Sequence, residues 1–376
     1  MSGFDFSPLL HLLVAAALLG GLPLAWAWRR GRDASPRERL RLLAVLTMTL
    51  TFELILFGAF TRLTDSGLGC PDWPGCYGSA SPLGAHGEIQ AAQTAMPTGP
   101  VSHSKAWIEM LHRYFASAVG FLILVTAVLH TRWRRDAGVP SPFWSWLALL
   151  WVLVQGLFGA LTVTMKLFPA IVTLHLLLAL GLLMLLAWQT QRLGDAQLAM
   201  GPGLYRGSWL VLGLVLSQVA LGGWVSTNYA VLACSDFPTC QGQWWPAMDF
   251  EHGFALWREL GAGRDGGWLP FAALTAIHMT HRVGALIVFV ALGLFCWRLW
   301  RSGDEAARRW ARRLAAVALW QLCSGLSNVV LDWPLLAALA HTGGAAMLLA
   351  LLSVMLARAR RIGAPVARHL AVGAVA

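Results

Sequence analysis

The chain has 376 residues, 57% of them hydrophobic and only 12% charged, whereas soluble domains carry about 25% charged residues; this excludes a soluble globular protein and indicates a polytopic membrane protein. The net charge of +10 does not point to nucleic acid, because the arginines gather in short segments between apolar runs and no soluble basic module interleaved with stacking aromatics is present.

In chain order, the first apolar run covers residues 8–28 and is followed directly by Arg29, Arg30 and Arg32. A cleaved signal peptide has the reverse polarity, so the run reads as an uncleaved helix with its N-terminus outside. The run 42–63 then leads outward, and the loop 64–105 carries Cys70 and Cys76. The run 108–130 returns inward to Arg132, Arg134 and Arg135, followed by helices at 142–165 and 170–189. The pattern restarts with 208–227, a loop 228–268 carrying Cys234 and Cys240, and a run 271–297. Helices at 315–331 and 335–356 close the series of nine. Nearly every arginine outside a helix falls in a loop this scheme places inside, including the terminal Arg358, Arg360 and Arg361, as the positive-inside rule requires.

A repeat is more specific than any single helix. Cys70-Pro-Asp72-Trp-Pro74-Gly-Cys76 aligns with Cys234-Ser-Asp236-Phe-Pro238-Thr-Cys240, and the same offset pairs Gly58 with Gly222. Slightly larger offsets pair His112 with His281, Gln155 with Gln321, Gly159 with Gly325 and His175 with His341. The fold class is therefore an all-α polytopic membrane protein, a duplicated four-helix bundle of eight core helices plus one extra N-terminal helix. Each unit has an even number of spans, so the halves share one orientation about a pseudo-two-fold axis along the membrane normal. Residues 1–36 form the extra helix, 37–195 the first half and 196–376 the second.

Ionisable groups inside a membrane helix are expensive and mark functional sites. Glu109, His112 and Arg113 open the run 108–130, and Glu109 and His112 share one helix face. The second half answers with His278, His281 and Arg282, so Glu109 has a histidine as its counterpart. His112, His175, His281 and His341 sit in the outer turns of four helices. A lone histidine is most simply a hydrogen-bonded core residue, but two from different helices can hold a heme plane between them, and four at repeated positions imply two porphyrin sites. Gly156, Gly159, Gly222, Gly223 and Gly325 are mostly explained by ordinary packing of membrane helices. The cysteine pairs 70/76 and 234/240 favour two short disulfides on an oxidising face over one shared zinc site. Cys296 and Cys323 read as buried thiols. His86, His103, His252, His11, His130 and His369 have no repeat partner and read as solvated.

The segment from Arg62 through Ser66-Gly67 to Cys76, with Glu109-x-x-His112-Arg113, His175, His281-Arg282 and His341, resembles heme A synthase of the bacterial type with two cysteine pairs, over residues 42–356. The resemblance implies an enzyme of the bacterial cytoplasmic membrane that oxidises a methyl group of heme O to the formyl group of heme A for terminal oxidases. It implies that His112 and His175 face the substrate heme, that His281 and His341 ligate a heme b cofactor, and that Glu109 acts near the reacting methyl. An arginine after the ligand can also pair with a heme propionate. The implied partners are heme O, heme O synthase, a terminal oxidase in assembly, an external electron donor, lipid and a second copy of the chain. The departures are the leading helix, the two long outer loops, and His278 beside His281. Rival readings are a thiol oxidase passing electrons from the cysteine pairs to quinone, a non-catalytic b-type heme carrier, and a transporter. The first ignores four histidines, the second leaves Glu109 in one half unexplained, and the third needs half-helices broken at the midplane, which are not apparent.

Overall fold

The computed structural model describes residues 7–361. It is helical almost throughout. Helix α1 (Ser7–Arg30) precedes α2 (Pro36–Leu63), the short outer-loop helix α3 (His86–Ala95), α4 (His103–Arg132), α5 (Phe143–Thr164) and α6 (Pro169–Arg192). The second half holds α7 (Pro202–Thr227), a one-turn α8 (Phe250–Gly253), α9 (Phe271–Arg301), α10 (Glu305–Val330) and α11 (Leu335–Arg358). Local chemistry starts several of them. Ser35 caps α2 in a reciprocal capping box with Glu38, with Pro36 in the first turn. Ser102 caps α4 through the Lys105 N–H, and Asp304 caps α10 through the N–H groups of Ala306 and Ala307.

Among the described residues eight helices, α1, α2, α4, α5, α6, α7, α9 and α11, are long and apolar enough to cross a membrane. The ninth long helix, α10, begins with Arg308, Arg309, Arg312 and Arg313 and becomes apolar only in its later turns. The apolar side chains on the outside of the bundle, such as Leu10, Leu22, Leu153 and Leu336, are what a lipid-facing surface requires, since helices satisfy their own backbone there.

The duplication is visible in the packing. Helices α2, α4, α5 and α6 pack in a ring, and α7, α9, α10 and α11 repeat it. The halves meet through α6 on α11, with α2 on α11 answered by α6 on α7, as a two-fold relation demands. Helix α1 lies outside the ring against α4. The turns closing α5–α6 and α10–α11 each place two successive non-glycine residues in the left-handed region, Lys166 and Leu167 in one, Asp332 and Trp333 in the other. The largest core cluster joins the halves, with Leu180 and Leu183 against Leu292, Leu314, Leu349 and Leu352. At the end of the bundle where α6 and α11 finish, strands β1 (Leu198–Met200) and β2 (Ala359–Arg361) pair in parallel. At the opposite end Arg62 donates to the Ser226 carbonyl at 2.6 Å and stacks 4.0 Å from the Tyr229 ring centre, clasping the halves together.

Candidate active site

Each of the four repeated histidines lies against a glycine of a neighbouring helix. A methyl group on Gly58 would stand 3.1 Å from Cε1 of His112, one on Gly159 3.1 Å from Cε1 of His175, one on Gly222 3.0 Å from Cε1 of His281, and one on Gly325 3.2 Å from Cε1 of His341. Only a residue without a β-carbon lets a ring approach a helix backbone so closely. Four of these glycines are thus histidine seats rather than general packing residues, while Gly156, which meets nothing within 4 Å, fits the ordinary explanation. His112 and His175 are electrostatic neighbours, as are His281 and His341, so the structure brings the histidines together in two pairs, one per half.

Glutamines one turn before three of the seats hold the histidine backbones. Gln155 donates to the His175 carbonyl at 3.0 Å and Gln218 to that of His281 at 2.9 Å. Gln321, with its amide oriented to satisfy both ends, donates to the His341 carbonyl at 2.8 Å. In the second half the ring nitrogens also have partners: the Gln218 amide lies 2.9 Å from Nδ1 of His281, and the Ser324 hydroxyl 3.0 Å from Nδ1 of His341. Gln218 and Ser324 escaped the sequence reading. The recurrence Gln-x-x-x-Gly at 155–159, 218–222 and 321–325 is the signal that finds the first of them.

Above the histidines the two cysteine loops are built alike. Cys70–Cys76 and Cys234–Cys240 are disulfides, which removes the shared zinc site from consideration. Within each loop an aspartate collects N–H donors from a turn that runs through the left-handed region. Asp72 accepts from Tyr77 at 2.6 Å and Gly78 at 2.7 Å; Asp236 accepts from Gln241 at 2.7 Å and Gly242 at 3.0 Å. The Thr239 hydroxyl, with those two N–H groups, lowers the Asp236 carboxyl pKa to about 2.

An arginine from the helix below locks each loop. Arg113 donates to the carbonyls of Asp72 at 2.9 Å, Pro74 at 3.2 Å and Gly75. Arg282 donates to Thr239 at 2.8 Å, Asp236 at 2.8 Å and Cys234 at 3.1 Å. The Arg113 guanidinium is therefore engaged by loop carbonyls and the Glu109 carboxylate, and that of Arg282 by loop carbonyls, with its Nε buried without a partner. Glu109, 4% exposed, ion-pairs with Arg113 and accepts from the Cys70 N–H at 2.8 Å. Its counterpart His278 instead has Nδ1 3.0 Å from the Ala230 carbonyl. Glu109 is thus tied to the outer loop, and His278 is turned to a backbone carbonyl while His281 occupies the glycine seat.

His130 and Cys323 differ from the sequence reading. His130 is 2% exposed, its ring bonded to Ser145 at 2.7 Å and the Pro140 carbonyl at 2.9 Å, so it is a core residue and not solvated. His86 is exposed, and its ring is tilted against that of His103 with centres 4.4 Å apart. His252 bridges Asp249 at 2.7 Å and Asp265 at 3.4 Å; Asp265 and then Asp249 raise its pKa. Cys323 is exposed on α10, because its helix turns that face outward, while Cys296 is half-buried. His369 lies outside the described residues.

The donor set suits heme iron. Facing neutral imidazoles are heme ligands, the seats leave room for rings and no bulk beside them, and Nδ1 of His112, Nδ1 of His175 and the side-chain oxygens of Gln155 and Gln218 are buried without a partner. No cluster of three or more His, Cys, Asp or Glu suited to a bare metal ion occurs among the described residues.

Known proteins point the same way. The family model described as COX15-CtaA, cytochrome oxidase assembly protein, matches residues 41–353. The heme A synthase of Shewanella oneidensis is 37% identical over 309 residues, 81% of this chain and 92% of that protein. Those of Halalkalibacterium halodurans and Bradyrhizobium sp. strain ORS 278 are 26% identical over 313 residues and 27% over 343, covering 80% and 85% of this chain and 91% and 92% of theirs.

Proposed function

Because the chain belongs to the COX15-CtaA family of cytochrome oxidase assembly proteins, we propose that it acts as a heme A synthase, converting a methyl group of heme O to the formyl group of heme A, with residues 37–195 as the substrate half and 196–376 as the cofactor half. Two successive hydroxylations of one carbon give a geminal diol, which loses water to leave the formyl group. The site must therefore hold a large apolar porphyrin, exclude bulk water and carry protons away.

The observation that carries this reading is the pairing of four glycine-seated histidines into two similar sites that differ at one ionisable position, Glu109 against His278. His112 and His175 would hold the iron of heme O, and His281 and His341 that of heme b. A bound heme b supplies one-electron transfer toward an external redox partner. Glu109 lies on the His112 face of α4 and is the carboxylate placed to receive protons from the substrate half; its ties to Arg113 and Cys70 hold it at the outer lip. Helix α1 packs on α4 from outside the ring of the first half. The arginine distribution supports cysteine loops outside and a cytoplasmic C-terminus in the bacterial inner membrane. Heme O synthase would deliver the substrate, and a terminal oxidase would receive the product.

The test is the heme content of single histidine variants of the full chain purified from membranes. His281→Ala and His341→Ala should lose the copurifying heme b, whereas His112→Ala and His175→Ala should keep it and fail to make heme A. If His278→Ala loses the heme while His281→Ala keeps it, the ligand assignment is reversed.

A further inference from the structure

The two halves seat their histidines alike but treat the far ring nitrogens differently. In the second half Nδ1 of His341 lies 3.0 Å from the Ser324 hydroxyl, whereas the neighbour of Nδ1 of His281, at 2.9 Å, is the Gln218 amide nitrogen, a donor that also bonds the His281 carbonyl. Ser324 gives its own hydroxyl proton to the Trp320 carbonyl at 2.8 Å, so its oxygen is left to accept from Nδ1–H. The offsets that align Gly222 with Gly58 and Gly325 with Gly159 put Leu54 in the place of Gln218 and Phe158 in the place of Ser324. In the first half, accordingly, Nδ1 of His112 and Nδ1 of His175 are buried without a partner. Gln155 holds the His175 backbone carbonyl but comes no closer than 3.5 Å to the ring, at Nε2, and Leu54 offers the His112 carbonyl nothing. The edge of Phe57, with ring centres 5.9 Å apart, is the aromatic neighbour of His112.

We propose that Ser324 is a positioning residue that makes the second-half heme a resident group, and that Phe158, which offers no acceptor in its place, keeps the first-half heme exchangeable. This rests on the reading of the halves as substrate and cofactor sites. An acceptor for the N–H of the far nitrogen fixes the tautomer and the plane of a ligating imidazole and raises its basicity, and losing it typically costs 10–100-fold in metal affinity. A substrate must enter and a product must leave at each turnover, whereas a cofactor must stay. The glycine seats are common to both halves, so shape does not separate them; the polarity at Nδ1 does.

The test uses the full chain purified in detergent, loaded with heme, with apomyoglobin added as a scavenger and heme transfer followed by absorbance. Ser324→Ala should speed loss of the second-half heme about 10–100-fold and raise its midpoint potential, since a less basic imidazole stabilises ferric iron less. Ser324→Thr, which keeps the hydroxyl, should restore the Ser324 contribution to both. Phe158→Ser should slow heme release from the first half and leave more than one heme per chain after purification. Unchanged off-rate and potential in the Ser324→Ala variant would overturn the inference, as would equal release rates from the two wild-type halves. A wild-type chain that binds heme in neither half would instead overturn the proposed function.

Discussion

Glu109 accepts a 2.8 Å hydrogen bond from the backbone N–H of Cys70, so the one carboxylate in the outer turns of α4 is fastened to the disulfide loop above it. The same carboxylate ion-pairs with Arg113, which in turn holds three carbonyls of that loop. Breaking a buried pair by removing one partner costs about 3–5 kcal/mol. Glu109→Ala should therefore loosen the Cys70–Cys76 loop, seen as faster proteolysis there. Glu109→Gln still offers an acceptor to Cys70, so it should keep the loop closed and the heme b in place while heme A falls and heme O or a hydroxylated intermediate accumulates. Normal heme A from Glu109→Gln would show that the carboxylate only positions the loop.

The glycine seats make a graded prediction. At 3.0–3.2 Å from a ring carbon, an added methyl forces the imidazole aside, and overpacking of this kind costs about 1–3 kcal/mol. Gly222→Ala and Gly325→Ala should lower retained heme b, measured as the pyridine hemochrome. Gly58→Ala and Gly159→Ala should spare it and reduce heme A. Gly156→Ala, where the methyl meets open space, should change neither.

The pH behaviour of the second outer loop follows from Asp236. Its pKa in the folded chain is lowered to about 2 by Thr239, Gly242 and Gln241, below the unfolded value near 3.9. The stabilisation it brings is fully present above the unfolded value and is lost as the pH falls through about 2. Proteolysis at the Cys234–Cys240 loop should stay flat from pH 7 to about pH 4 on that account and rise only in stronger acid. Asp236→Asn should loosen the loop already at neutral pH.

The skeleton of this protein is legible in the sequence because duplication prints its landmarks twice. His112 with His281, His175 with His341, and the two cysteine pairs are rare residues in apolar surroundings, so their register survives the drift of the leucines and valines between them. What supports the histidines is less legible. A serine or glutamine in a membrane helix often bonds its own backbone, as Ser327 does with Cys323, and nothing in Gln218 or Ser324 alone says which ring it meets. Arg113 and Arg282 gain in the structure a role their charge alone does not show: the loop folds back and supplies carbonyls to both. His130 looked like an inner-surface residue because it ends an apolar run; a serine from α5 and the Pro140 carbonyl enclose it.

The most direct measurement is of product. The full chain, expressed in membranes supplied with heme O, should convert it to heme A, identified by the mass of the extracted hemes, with the hydroxylated intermediate detectable on the way. His112→Ala and His175→Ala should leave heme O unchanged while retaining heme b. Recovery of heme O alone from the wild-type chain with heme b bound and the external redox partner present would contradict the assignment of a heme A synthase activity.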